Sequence, residues 1–164
     1  NDANLTAVKY NHQQIDIIHL FSALVEAEDG LIPNIFTKMG INVKMIKIDI
    51  NNALDKMPKV TGEGANGSGV YITRQVDEVL VKADDLAKKF GDSYISVEHL
   101  MLAIIDVDKN GPTKQILKKY NIKKCYYGHL HGNSIKDAVE GKYFGIEFKL
   151  VSADGVDFKL QKIK

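Results

Sequence analysis

His19 and His99 each stand three residues after a residue that caps helices well, Asp16 and Ser96. An imidazole so placed can bind a metal or sense pH. Each ring also falls on the first turn of an apolar helix, beside Leu20 or Leu100. That setting favours a packed histidine, hydrogen-bonded within its own stretch of chain. Asp92 and Glu98 flank the second of these helix starts. They suit local turn and helix-dipole needs, and they can also place acidic groups at the rim of a groove. Gly62, Gly64 and Gly67 fit G-x-G-x-x-G by the letter. A dinucleotide site needs a strand before such a run and a helix start after it. Here a helix is expected before it and more glycine follows, so the run reads as a flexible connector. No Gly-Lys-Ser/Thr triplet occurs, which excludes a phosphate loop of that type. Asp106, Asp108, Asn110 and Gly111 match the first half of a calcium loop. Leu117 stands where the bidentate glutamate belongs and Pro112 interrupts the run, so a helix–helix connection is expected instead.

The elements that hold these residues come in two copies. An offset of 80 aligns Tyr10 with Phe90, Ile15 with Ile95, Asp16 with Ser96 and His19 with His99. It also aligns Leu20 with Leu100, Ala23 with Ala103 and Leu24 with Ile104. After one inserted residue, Ile35, Met39 and Ile41 align with Ile116, Tyr120 and Ile122. Pro33 and Pro112 fall near the starts of short helices, where a missing amide is harmless. Gly40 and Asn121 follow those helices, where a left-handed residue is favoured. Apolar periodicity alone does not align caps, histidines, small residues and stops at one offset.

Helices are therefore expected near 2–10, 17–27, 32–39, 43–57, 74–90, 97–106 and 113–120. In the long helix after Thr73, Val76, Val79, Leu80, Ala83, Leu86, Ala87 and Phe90 mark one buried stripe, which Gly91 ends. The expected fold class is mainly α: two pseudo-symmetric helical repeats over residues 1–122, with an appended segment at 123–164.

Bulk properties exclude several roles. The 164 residues carry 22 basic and 21 acidic side chains, a net charge of +1. That balance gives no general attraction to nucleic acid or to an anionic membrane. No apolar run approaches the roughly 18 residues that cross a bilayer, and no signal peptide is legible at the start. The single cysteine, Cys125, rules out an internal disulfide and a Cys-based zinc cluster. A reducing, cytoplasmic setting is expected.

Four segments carry a family resemblance. They are Tyr10-Asn11-His12-Gln13-Gln14-Ile15-Asp16, Glu28-Asp29-Gly30-Leu31-Ile32-Pro33, Pro58-Lys59-Val60-Thr61-Gly62 and Gly91-Asp92-Ser93-Tyr94-Ile95-Ser96-Val97-Glu98-His99-Leu100. Together they resemble the amino-terminal domain of Clp ATPases, and the connector after Pro58 resembles the ClpB branch, the protein disaggregases. The resemblance covers about residues 3–122 and implies a non-catalytic module without a cofactor. Such a module captures unfolded or aggregated polypeptide and passes it to AAA+ rings that thread it using ATP. It also receives adaptor proteins. The resemblance implies an apolar groove with acidic neighbours, in which Leu80, Asp92 and Glu98 are the matching positions. Val76, one helical turn before Leu80, extends the apolar face.

From about Lys123 the character changes. Gly145-Ile146-Glu147-Phe148-Lys149-Leu150-Val151 and Val156-Asp157-Phe158-Lys159-Leu160 alternate around a turn, which predicts a β-hairpin. Gly128-His129-Leu130-His131-Gly132 resembles the last metal motif of calcineurin-like metallophosphoesterases. That likeness makes His129 and His131 candidate metal ligands and gives the alternative reading, a phosphoesterase fragment inactive alone. Two histidines cannot build a two-metal centre, because the Asp, Asn and further His ligands are missing. The hairpin is expected to dock through Phe148, Leu150, Phe158 and Leu160 or to pair between chains; an exposed apolar edge favours the second, so self-association through this segment is expected. Deleting 124–164 is expected to leave the stability of the remainder nearly unchanged.

Overall fold

The computed structural model describes residues 1–60, 70–120, 122, 124–128, 132–137, 140–143 and 146–159. Seven α-helices lie among them: α1 Asp2–Lys9, α2 Ile17–Glu26, α3 Leu31–Lys38, α4 Val43–Asp55, α5 Arg74–Phe90, α6 Val97–Val107 and α7 Pro112–Lys119. Every expected helix is present, with ends displaced by a residue or two. A two-residue parallel pairing ties the repeats together, β1 Gln14–Ile15 with β2 Tyr71–Ile72.

The helix ends follow local chemistry. Asp16 accepts a bond from the Ile17 amide, and Asn42 and Thr73 accept bonds from the Lys44 and Val76 amides. These side chains satisfy donors that a helix start leaves free. Gly91 ends α5 at φ +77°, a left-handed conformation that costs glycine little. Asp108 sits where the half calcium loop was noted. Its carboxylate accepts the Gly111 and Lys114 amides at the start of α7. The carboxylate is thus a helix cap, and this explains the acidic run as a helix–helix connection. Asp108→Ala is expected to cost about 1–2 kcal/mol, read as a lower urea midpoint. An unchanged midpoint would show that the two bonds contribute nothing.

Two apolar cores stack on either side of α2 and α6. One gathers Ala3, Ala7, Ile17, Val76, Val79, Ala83, Leu86, Phe90 and Ala103 between α1, α2, α5 and α6. The other gathers Ile18, Phe21, Val25, Phe36, Ile46, Ile50, Leu54 and Leu117 between α2, α3, α4 and α7. Helices α2 and α6 are apolar nearly all round because both cores need them. The edge of the second core is clipped by Asp49 of α4, which accepts from the Tyr120 hydroxyl at 2.6 Å and pairs with Lys119 at 2.7 Å. Burial and the bond to Asp49 push the Tyr120 hydroxyl up to about 12.

The appended segment departs from the expected hairpin. Strand β5 Ile146–Leu150 is central, with β3 Lys124–Tyr127 parallel on one side and β4 Gly141–Tyr143 antiparallel on the other. The antiparallel partner therefore precedes β5. Residues Asp154–Val156 form a 3-10 turn, and Asp157 and Phe158 have φ of +52° and +56°. Extended pairing over 156–159 is incompatible with those angles. The chain curls because Leu150 and Ser152 are buried and Gly155 lies over them. A Cβ on Gly155 would come within 2.7 Å of the Ser152 hydroxyl and 2.9 Å of a Leu150 methyl.

Leu150 is 4% exposed and belongs to the first helical core, whereas Phe158 is 80% exposed. Docking thus uses Leu150 and not Phe158. The Phe148 side chain and Leu160 lie outside the described residues, as do Gly62, Gly64, Gly67, Asn121, His129 and His131.

Candidate functional site

The two recurring histidines do the same local work. In each case the cap residue's own amide donates to the histidine Nδ1: Asp16 to His19 at 2.9 Å, Ser96 to His99 at 3.0 Å. Each ring thereby takes the part that glutamate plays in a capping box. An Nδ1 that accepts a hydrogen bond carries no proton, so the neutral ring carries it on Nε2. Both rings are fully buried.

The repeats differ in what that Nε2 meets. In the first repeat it is His12 Nδ1, at 2.8 Å. His12 is itself buried, stacked on Tyr10, and its Nε2 has no well-aligned partner. Burial holds both rings below the ordinary histidine range; Lys59 adds to this at His12, and His12 adds to it at His19. In the second repeat the offset puts Asp92 in the place of His12. Its carboxylate lies 3.2 Å from His99 Nε2, in contact but off the line of the N–H.

Ser96 Oγ is also 2.9 Å from His99 Nδ1. Serine, histidine and aspartate are thus in series, as in a hydrolase triad. The Ser96 amide already donates to the Nδ1 lone pair that a general base would use. The series serves capping rather than nucleophile activation. Among the described residues, no group of three or more His, Cys, Asp or Glu side chains could hold a metal ion.

The same stretch is closed in one repeat and open in the other. His12, Ile15 and Ile17 are buried, whereas Asp92, Ile95 and Val97 are 36%, 43% and 37% exposed. Ile15 is covered because β1 pairs with β2, where the Thr73 amide donates to the Ile15 carbonyl. Among the described residues no strand pairs with 94–95. Tyr94 adds a ring that is 85% exposed. The second repeat therefore presents Tyr94, Ile95 and Val97 between the acids Asp92 and Glu98. Sequence reasoning missed these three residues. Their signal was available in the apolar residues around a polar cap, but the aligned Ile15 reads as core.

The structure divides the other expected site residues. Val76 is 2% exposed and supports α5 from within the first core. Leu80 leaves the expected buried stripe and is 40% exposed, next to Val81 at 64%. From Leu80 to the end of α5 is ten residues, about 15 Å of helix. That length along the helix axis is what about five extended residues of another chain would span. Neither of two described surface depressions includes Val76, Leu80, Asp92 or Glu98; one lies between α4 and α7, and the other, beside Arg74 and Val107, is lined in part by Val81. A shallow apolar surface need not be concave, so exposure is the better guide here.

Comparisons with known proteins bear on the family and the fold. Residues 1–120 match the family model described as the Clp repeat (R) N-terminal domain. The chain is 63% identical over 124 residues to chaperone protein ClpB of Clostridium perfringens, covering 76% of this chain and 14% of that protein. It is 38% identical over 122 residues to chaperone protein ClpB of Bacillus anthracis, covering 74% and 14%. Its fold matches the crystal structure of the Hsp104 N-terminal domain from Candida albicans, with a TM-score of 0.63 at 20% identity, covering 74% and 75%. The chain thus spans about one seventh of the length of the curated relatives it matches.

Proposed function

The chain belongs to the Clp repeat N-terminal domain family, and from that membership we propose that it is a non-catalytic module that binds exposed polypeptide for a ClpB-type disaggregase. The observation that carries the reading is the opened stretch of the second repeat: Tyr94, Ile95 and Val97 exposed between Asp92 and Glu98, with Leu80 further along α5. An apolar surface without a fixed row of backbone donors takes apolar segments of many sequences. The two acids favour segments that also carry lysine or arginine. Val76 acts from beneath, by holding the helix that displays Leu80.

Partners on this reading are unfolded or aggregated polypeptides, with AAA+ modules receiving what is bound and adaptor proteins competing for the same face. No helix among the described residues is long and apolar enough to cross a membrane. A cytoplasmic setting fits the relatives' role as chaperones.

Binding is expected in the micromolar range or weaker, about −8 kcal/mol or less favourable. Leu80→Ser is expected to weaken binding of a permanently unfolded protein about fivefold, because it removes roughly 1 kcal/mol of apolar contact. Fluorescence anisotropy reads the affinity, and NMR titration reads the place. Unmoved resonances at Leu80, Ile95 and Val97 on saturation would refute the assignment of this surface.

A further inference from the structure

We propose that His99 is a positioning residue that holds the Asp92 carboxylate at the edge of the exposed Tyr94–Val97 surface, giving the second repeat alone a fixed anion for a client's lysine or arginine. The inference rests on the client-binding reading above and assigns it a specificity element.

The ring is held from one side. The Ser96 amide donates to Nδ1 at 3.0 Å, so the neutral ring must direct its proton from Nε2. That nitrogen is fully buried and has no well-aligned partner among the described residues. The Asp92 oxygen at 3.2 Å stands beside it. A small rotation of the carboxylate completes the bond and satisfies a buried donor, whose neglect is costly. Asp92 follows Gly91 directly, and its own amide donates to the Ala87 carbonyl at 2.9 Å. The Asp92 backbone is thus tethered to α5, and its carboxylate lies against the His99 ring of α6. Among the described residues neither Asp92 nor Glu98 is paired with a lysine or arginine, so the charge is open to an incoming cation. In the first repeat the equivalent place is taken by His12, which is buried and uncharged in its pairing with His19. The pseudo-symmetric face therefore lacks the anion, and one domain offers one such site.

The test uses the whole 164-residue chain and a fluorescein-labelled unstructured peptide of leucines flanked by lysines. His99→Asn puts a carboxamide oxygen where Nδ1 lies, so the Ser96 amide keeps an acceptor while nothing reaches Asp92. Asp92→Asn keeps the shape and removes the charge. Each single variant is expected to weaken peptide binding about threefold, and the double variant no further than Asp92→Asn alone. Equal weakening by His99→Asn in both backgrounds would reveal a general structural effect and overturn the inference. Weakening by Asp92→Asn but not by His99→Asn would overturn it while leaving the acidic rim intact. No weakening by Asp92→Asn would remove the rim itself, and this inference with it. Imidazole nitrogen shifts of the unmodified chain give a readout that needs no variant. A proton on Nε2 of His99 is expected, and a proton on Nδ1 instead would overturn the proposal.

Discussion

Lowering the pH from 7 to 5 is expected to destabilise the fold through the His12–His19 pair. Both rings are buried, and their bond at 2.8 Å needs one nitrogen with a proton facing one without. A proton added to His19 would have to sit on Nδ1, against the Asp16 amide that donates there. A proton added to His12 would sit on Nδ1, against His19 Nε2–H. Burial therefore lowers both pKa values in the folded chain. In the unfolded chain both are ordinary histidines, with pKa near 6.5.

The sign follows from the proton count. Below about pH 6.5 the unfolded chain binds protons that the folded chain refuses, so stability rises with pH. The contribution is complete above the unfolded pKa and is lost as pH falls toward the lower folded values. Each proton that the folded chain refuses costs about 1.4 kcal/mol per pH unit below the unfolded pKa. Urea midpoints at pH 7, 6 and 5 measure the decline. A flat profile over that interval would show that the pair accepts protons without strain. The effect belongs to the first repeat, where the partner of the capping histidine is another histidine.

Leu150→Ala is expected to cost about 2–4 kcal/mol, the usual effect of emptying a well-packed leucine site. Leu150 lies outside the repeats in sequence but inside the first helical core in space, with Ile135 packed nearby. Deleting 124–164 should lower the melting temperature by a comparable free energy while the helical signal and a single cooperative transition persist, since α1 to α7 keep both cores. The sequence alone leads to the expectation of a neutral deletion, whereas the burial of Leu150 in the first core argues for a cost. Phe158→Ser is the control: a ring 80% exposed contributes little, and a change within about 0.5 kcal/mol is expected. A Leu150→Ala variant as stable as the parent would show that the segment does not dock.

By itself the sequence determined the helices, the repeat and the place of the caps. These depend on interactions between residues a few positions apart: a cap with the amides after it, a stripe at helical spacing, a glycine that turns left. Asp16, Ser96, Gly91 and the histidine three residues beyond each cap were legible for that reason, as was membership of the family. Long-range partners were not legible. Equal sequence positions, 15 and 95, differ in burial because β2 covers only the first. Leu80 and Val79 are neighbours on one helix, yet one is surface and the other core, because α5 packs along a stripe narrower than its apolar content. The appended segment paired with a strand preceding β5 rather than one following it. Alternation records which side of a strand is apolar and leaves the choice of partner to packing. The offset of 80 puts a histidine in one repeat and an acid in the other at the same position, but only the tertiary structure shows both facing the equivalent buried nitrogen.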